Sequence, residues 1–205
     1  MAVKKSDVEV YTKRRIEYLI NTTNDGMRKA ALANLRRGVG KKPGELPELW
    51  GEFLADMPEE MFGKSEPSAA EYAVYTALTL FALHQQGHEL PRDAMHHDGV
   101  SLGQAAARLI VGEADAESTF DRVRRRFNMT ALSADIDELA HHLRGLVQLL
   151  RAKAVPLDYA RLAGEIYLYL NIDLRSDIRL NWGRDLYHEF YTLTHNGKDD
   201  KNEKE

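Results

Sequence analysis

Proline placement most constrains this chain. Five of its six prolines (Pro43, Pro47, Pro58, Pro67, Pro91) fall within residues 43–91, leaving 92–155 and 157–205 uninterrupted. Proline lacks the amide hydrogen a helix needs and clashes with the preceding turn. Residues 43–91 are therefore expected to hold short helices and turns, while the second half has room for long ones. From residue 136 the apolar positions run Ile136, Leu139, Ala140, Leu143, Leu146, Val147, Leu150, one stripe over four turns. Ser133 reads as its N-cap, with Asp135, Asp137 and Glu138 in the first turn and Arg151 and Lys153 in the last, as the helix dipole favours. The segment after Ser68 is apolar on every side of a helix and so predicts a central, buried one. Further helices are expected near 6–21, 25–38, 47–55, 101–111, 115–127, 157–170 and 181–194. No stretch alternates with period two between turn residues, so the predicted fold class is all-α.

The expected arrangement is two packed helical bundles meeting near 112–116: an N-terminal domain over 1–111 and a C-terminal one over 112–195. The tail 196–205, NGKDDKNEKE, has nothing apolar to bury and is expected to be mobile. With 43% hydrophobic and 29% charged residues, the 205-residue chain has ordinary globular composition. It has no cysteine, which excludes a disulfide framework, a thiolate zinc site, an iron–sulfur cluster and a cysteine nucleophile together. The N-terminus is charged every few residues, and the most apolar stretch, 69–83, is too short to span a bilayer and carries Glu71. No membrane association and a cytoplasmic location are expected.

Eight histidines invite a test for metal. His84 and His88 are four apart, but no Glu completes an HExxH pattern, and the expected reading is a solvated helix end. The pairs His96–His97 and His141–His142 diverge by about 100° on a helix and read as surface residues. There is no phosphate-binding glycine loop and no GxSxG elbow. No catalytic residue, metal site or cofactor is expected.

Charge is where the sequence is informative. The net charge of −4 averages over two opposed segments. Residues 28–42 hold Arg28, Lys29, Arg36, Arg37, Lys41 and Lys42 with no acid; residues 43–71 hold eight acids against Lys64. On a helix over 25–38, Leu32, Leu35 and Val39 face inward and the cations outward, and a loop opened by Gly38 and Gly40 carries Lys41 and Lys42. Several cations at such spacing suit a phosphate backbone. In DRVRRRF, Phe120, Val123 and Phe127 take the buried face, so Arg122, Arg125 and Arg126 project together from the opposite one. Arg144 and Arg151 flank the stripe 136–150 as a weaker set. The competing reading of each is a solvated arginine or a salt bridge to an acid from elsewhere.

The segments ALANLRRGVGKKPGELPELWGEF, EPSAAEYAVYTALTLFALHQQG, SLGQAAARL, ESTFDRVRRRFNMTALSADIDELAHHLRGLVQLLRAKAVPLDYARLAGEIYLYL and RLNWGRDLY occur in that order over about 28–191. In order and extent they resemble the CasB family, the small subunit of the type I-E CRISPR Cascade complex. The resemblance implies a non-enzymatic, two-domain helical protein, present as two copies in the complex. It implies other Cascade subunits, guide RNA and target DNA, including the displaced strand, as partners, and self-association as a dimer. It places Arg36 and Arg37, with Arg28, Lys29 and Lys42, at a nucleic-acid groove, and Arg122, Arg125, Arg126, Arg144 and Arg151 as the matching set on the second domain. Residues 21–25 and those after Thr192 do not match the family pattern.

Trp182, Arg184 and Tyr187 admit two readings: a core tryptophan with Arg184 paired to an acid, or a helix in a subunit contact. The acidic stretch 43–71 reads as solvated surface, as a repulsive edge confining nucleic acid, or as a face for a basic neighbour. The functional alternative is a helical protein–protein adaptor whose arginines meet an acidic protein partner.

Overall fold

The computed structural model describes residues 2–202, with side chains through His195. Among the described residues the regular structure is helical throughout, with no strand and a single isolated bridge between His96 and Leu157. The chain opens with α1 (Lys5–Asn21) and α2 (Asp25–Arg37). The proline-rich region then behaves as its sequence demands. The one helix expected over 47–55 is instead a 3-10 turn at Pro47–Leu49 running into the single-turn α3 (Trp50–Phe53), followed by a second 3-10 turn at Glu59–Met61. Asp56 with φ of 59° and Pro58 end α3 before it can extend.

Helix α4 (Ala69–His84) begins in a reciprocal cap: Ser68 Oγ accepts from the Glu71 amide at 3.0 Å, and the Glu71 carboxylate accepts from the Ser68 amide at 2.6 Å. Every side chain from Ala73 to His84 is buried. This is the central helix its all-round apolarity predicts: α1 and α2 pack on it from the first half of the chain, and two helices of the second half do so as well.

The second half supplies α5 (Leu102–Arg108), α6 (Ala116–Leu132), α7 (Ile136–Ala152), α8 (Tyr159–Tyr169) and α9 (Arg175–Asn202). Leu139, Leu143, Leu146, Val147 and Leu150 of α7 are buried, each worth about 2 kcal/mol of apolar burial, and together they dictate which face of the helix turns inward. Ser133 does not cap α7. Its hydroxyl donates back to the Met129 and Thr130 carbonyls and closes α6, while Asp135 Oδ1 accepts from the Glu138 amide as the true N-cap. α6 runs five residues beyond the expected 127, and α9 starts six before the expected 181.

One continuous apolar cluster reaches through helices on both sides of residue 111. α7 and α8 pack on α4, α8 on α1, and α9 along α5. At the junction of α8 and α9, Glu165 is buried, accepting from Trp182 Nε1 at 2.7 Å and from Arg161 Nε at 2.7 Å; Arg161 also donates to Asp185 at 2.6 Å. Burial pushes the Glu165 carboxyl upward against the opposing pull of Arg161 and Trp182. The tail expected from 196 onward lies outside the residues whose side chains are described.

Candidate nucleic-acid interface

The acid-free run 28–42 is not a field of free cations, because acids from flanking segments reach it. Arg28 donates to Asp25 Oδ1 at 2.7 Å and to the Thr22 carbonyl at 3.2 Å, pinning the turn between α1 and α2. Lys29 shares the same aspartate at 2.7 Å. Lys29 and Arg28 together hold the Asp25 carboxyl below its ordinary range. Arg37 pairs with Glu48 at 2.9 Å, Lys41 with Glu45 at 3.5 Å, and Lys42 with Asp137 at the start of α7 at 3.3 Å. The exception is Arg36. It is half-buried with no carboxylate or hydrogen-bond partner among the described residues, and burial alone draws its pKa down. A guanidinium so placed gains from any anion brought to it.

The loop after α2 is fixed tightly. Gly38 is buried where a Cβ would lie 2.6 Å from Leu49 Cδ1 and 2.7 Å from the Tyr75 hydroxyl, which donates to the Gly38 carbonyl at 3.1 Å. That contact seats the end of α2 against α4 and so sets the position of Arg36.

The second cluster is different in kind. Arg122, Arg125 and Arg126 are exposed on α6, as the burial of Phe120, Val123 and Phe127 requires. None has a carboxylate partner among the described residues; Arg122 donates to Thr119 Oγ1 at 2.7 Å. Arg124, at the edge of the stripe, pairs with Asp121 at 2.9 Å. On α7, Arg144 is exposed without a partner among the described residues, and Arg151 donates to the neutral Gln86 at 2.8 Å. Of the eleven cations the sequence singles out, five are paired to carboxylates and six have no carboxylate partner among the described residues: Arg36, Arg122, Arg125, Arg126, Arg144 and Arg151.

Helix α7 connects the two clusters. Lys42 meets its first turn, while Arg122 and Arg126 face its last turn, near Leu149 and Ala152. Seventeen residues at 1.5 Å each make α7 about 25 Å long, the axial span of roughly seven successive phosphates of one strand. Two further exposed cations lie outside the set of site residues the sequence predicts: Lys153, beside Arg122 and Arg126 and bonded to Glu113, and Arg14 on α1, which lines a separate cavity with Tyr18 and Met27. The run Lys13, Arg14, Arg15 was the available signal for Arg14, although Arg15 itself is buried, donating to the Gly51 and Glu52 carbonyls.

The histidines correct the reading of solvated ends. His84 is fully buried, its Nδ1 2.8 Å from the Tyr159 hydroxyl, and burial lowers its pKa to about 4. The His96 side chain is also buried. With Asp98 and Asp158 it brings three potential ligand atoms within 4.8 Å of one another. The Tyr159 amide donates to His96 Nδ1 at 3.1 Å, which leaves the hydrogen of a neutral ring on Nε2, facing Asp98 at 3.3 Å. Lys13 covers Asp98, and the Gly99 and Arg161 amides donate to Asp158. The cluster is a hydrogen-bonded tie between loop 95–101 and the start of α8.

Of the C-terminal trio, Trp182 is in the core. Arg184 meets no acid among the described residues, only Asn181 Oδ1 at 3.5 Å. It shares an exposed face of α9 with Leu180, Tyr187 and Tyr191, spaced four, seven and eleven residues along. No helix among the described residues is long and apolar enough to cross a membrane.

The family model for CRISPR-associated protein Cse2 matches residues 31–187, from within α2 to α9. The crystal structure of CasB from Thermobifida fusca superposes with a TM-score of 0.73 at 31% sequence identity, covering 88% of this chain and 98% of that one. A search among curated proteins returned no match. With a family model spanning most of its length and a solved relative sharing its fold, the chain belongs to the CRISPR-associated Cse2 family.

Proposed function

We propose that this chain is the non-catalytic small subunit of the type I-E Cascade ribonucleoprotein. In this reading it holds nucleic-acid backbone, in the guide-RNA region and on separated target DNA strands including the displaced one, and so stabilises the guide RNA–target DNA state. The observation that carries the proposal is the set of six arginines that have no carboxylate partner among the described residues while their neighbours are neutralised. The two clusters fall on either side of residue 111, so each expected bundle contributes its own. Guide pairing reads sequence in such complexes, and the subunit need only bind phosphate. The exposed face Leu180, Arg184, Tyr187, Tyr191 supports contact with other Cascade subunits or a second copy of the chain.

A helical adaptor for an acidic protein partner is the competing reading, favoured by the same exposed α9 face. Capture of partners with and without nuclease separates the two. The proposed subunit loses nucleic-acid-dependent partners on digestion and binds single strands weakly and without sequence preference. An adaptor retains every partner and shows no affinity for single strands.

A further inference from the structure

The structure assigns a second kind of contact to the α6 cluster. We infer that the cavity between α6 and the end of α7 receives one unstacked base of a bound single strand, while Arg122 and Arg126 hold the phosphates on either side of it. This rests on the nucleic-acid reading above and deepens it.

The cavity has a volume of about 320 Å³, near the lower end of the range of small-ligand pockets, about 300–1,000 Å³. Its walls are Leu109, Val123, Leu149 and the Ala152 methyl; its rim carries Arg122, Arg126 and Lys153. Apolar walls take a base that has left its stack, aromatic ones being only the commoner choice. Arg122 and Arg126 are one turn apart, with Cβ atoms about 5–6 Å from each other. An apolar group flanked by two anions is the repeating chemistry of every nucleotide in a strand. A peptide would need a particular acid–apolar–acid sequence to present it. Glu113 also lines the cavity, but Lys153 is ion-paired to it and the two largely cancel, so the discrimination rests on the apolar walls and on Arg122 and Arg126.

The test compares two short strands with the same phosphates on the full chain at low salt: a mixed-sequence single strand and its abasic counterpart. The base-bearing strand is expected to bind at least about fivefold tighter, with the same salt slope. Ala152→Phe places a ring across the mouth from an exposed position and leaves every cation in place. It is expected to abolish the difference between strands without changing melting temperature or salt slope. Equal affinity of the two strands with a normal salt slope overturns the base pocket while the backbone reading stands. Absence of salt-dependent binding to either strand overturns the backbone reading and the pocket with it. A difference that survives Ala152→Phe places the base contact elsewhere and overturns the assignment. So does a variant that loses a protein partner and keeps its strand affinity.

Discussion

Glycine to alanine substitutions at three helical positions separate close helix approach from ordinary packing. At Gly103 in α5, an added Cβ would lie 2.5 Å from the Trp182 carbonyl oxygen, 2.6 Å from the Leu186 amide nitrogen and 2.8 Å from Asp185 Cβ. Two of these are backbone atoms, so no rotamer change relieves the clash and α9 must move away from α5. Trp182 and Leu186 are seated in the core and resist that shift. Overpacking of this kind costs about 1–3 kcal/mol, here toward the upper end because the obstacle is backbone. Alanine's better helix propensity returns about 1 kcal/mol, leaving Gly103→Ala about 2 kcal/mol less stable. Gly145 in α7 has open space around its Cβ position, so Gly145→Ala gains about 0.5–1 kcal/mol. At Gly164 in α8 the atoms nearest an added Cβ all belong to the Glu9 side chain, which can shift more readily than backbone, and Gly164→Ala should fall between. The gap between the first two variants, about 3 kcal/mol, corresponds to roughly 6–12 °C in melting temperature for a chain of this size. Thermal unfolding followed by circular dichroism reads it directly. Equal stability of Gly103→Ala and Gly145→Ala would refute the close seating of α9 on α5.

Two further predictions concern buried ionisable groups. Burial lowers the His84 pKa to about 4, against about 6.5 in the unfolded chain. Between these values the unfolded chain takes up a proton and the folded chain does not, so stability falls as pH drops from about 6.5 and is reduced by roughly 3 kcal/mol at pH 4. His84→Gln does not titrate, so the difference in urea unfolding free energy between native chain and variant should shift by that amount against the native chain; a difference independent of pH contradicts a buried neutral histidine. Glu165→Ala strands the buried Trp182 Nε1 hydrogen and removes one of the two carboxylate partners of Arg161. A loss of about 3 kcal/mol in denaturant unfolding is expected, and a loss under about 1 kcal/mol contradicts the network.

How much was readable beforehand depended on whether a feature is local. α4 and α7 follow from periodicity, because a stripe or an all-round apolar surface is written in one segment. The start of α9 was missed because Arg175, Asp177 and Arg179 make its first turns polar, with Ile178 alone buried. Ser133 was mistaken for a cap because a hydroxyl two residues from Asp135 has the same local chemistry; only the α6 carbonyls behind it reveal its role. Spacing placed His84 on a helix face but said nothing of depth, which Tyr159, 75 residues away, decides. The same limit governs the site. The outward direction of Arg122, Arg125 and Arg126 follows from their apolar neighbours, whereas the neutralisation of Lys42 by Asp137 and of Arg37 by Glu48 depends on tertiary placement. Arg36 and Arg37 are adjacent in sequence and differ in exactly the property that matters for an anion.

The central claim is that nucleic acid is held by the unpaired arginines and not by basic residues in general. The direct measurement is the salt dependence of single-strand binding for two triple variants with the same loss of charge. Arg122→Ala, Arg125→Ala and Arg126→Ala together should lower the slope of log affinity against log salt by about 2, at roughly 0.7 per lost phosphate contact. Arg28→Ala, Lys29→Ala and Lys41→Ala together, each cation already bound to a carboxylate, should leave the slope within about 0.5 of the native value. An equal drop for both triples, or no drop for the first, contradicts the account.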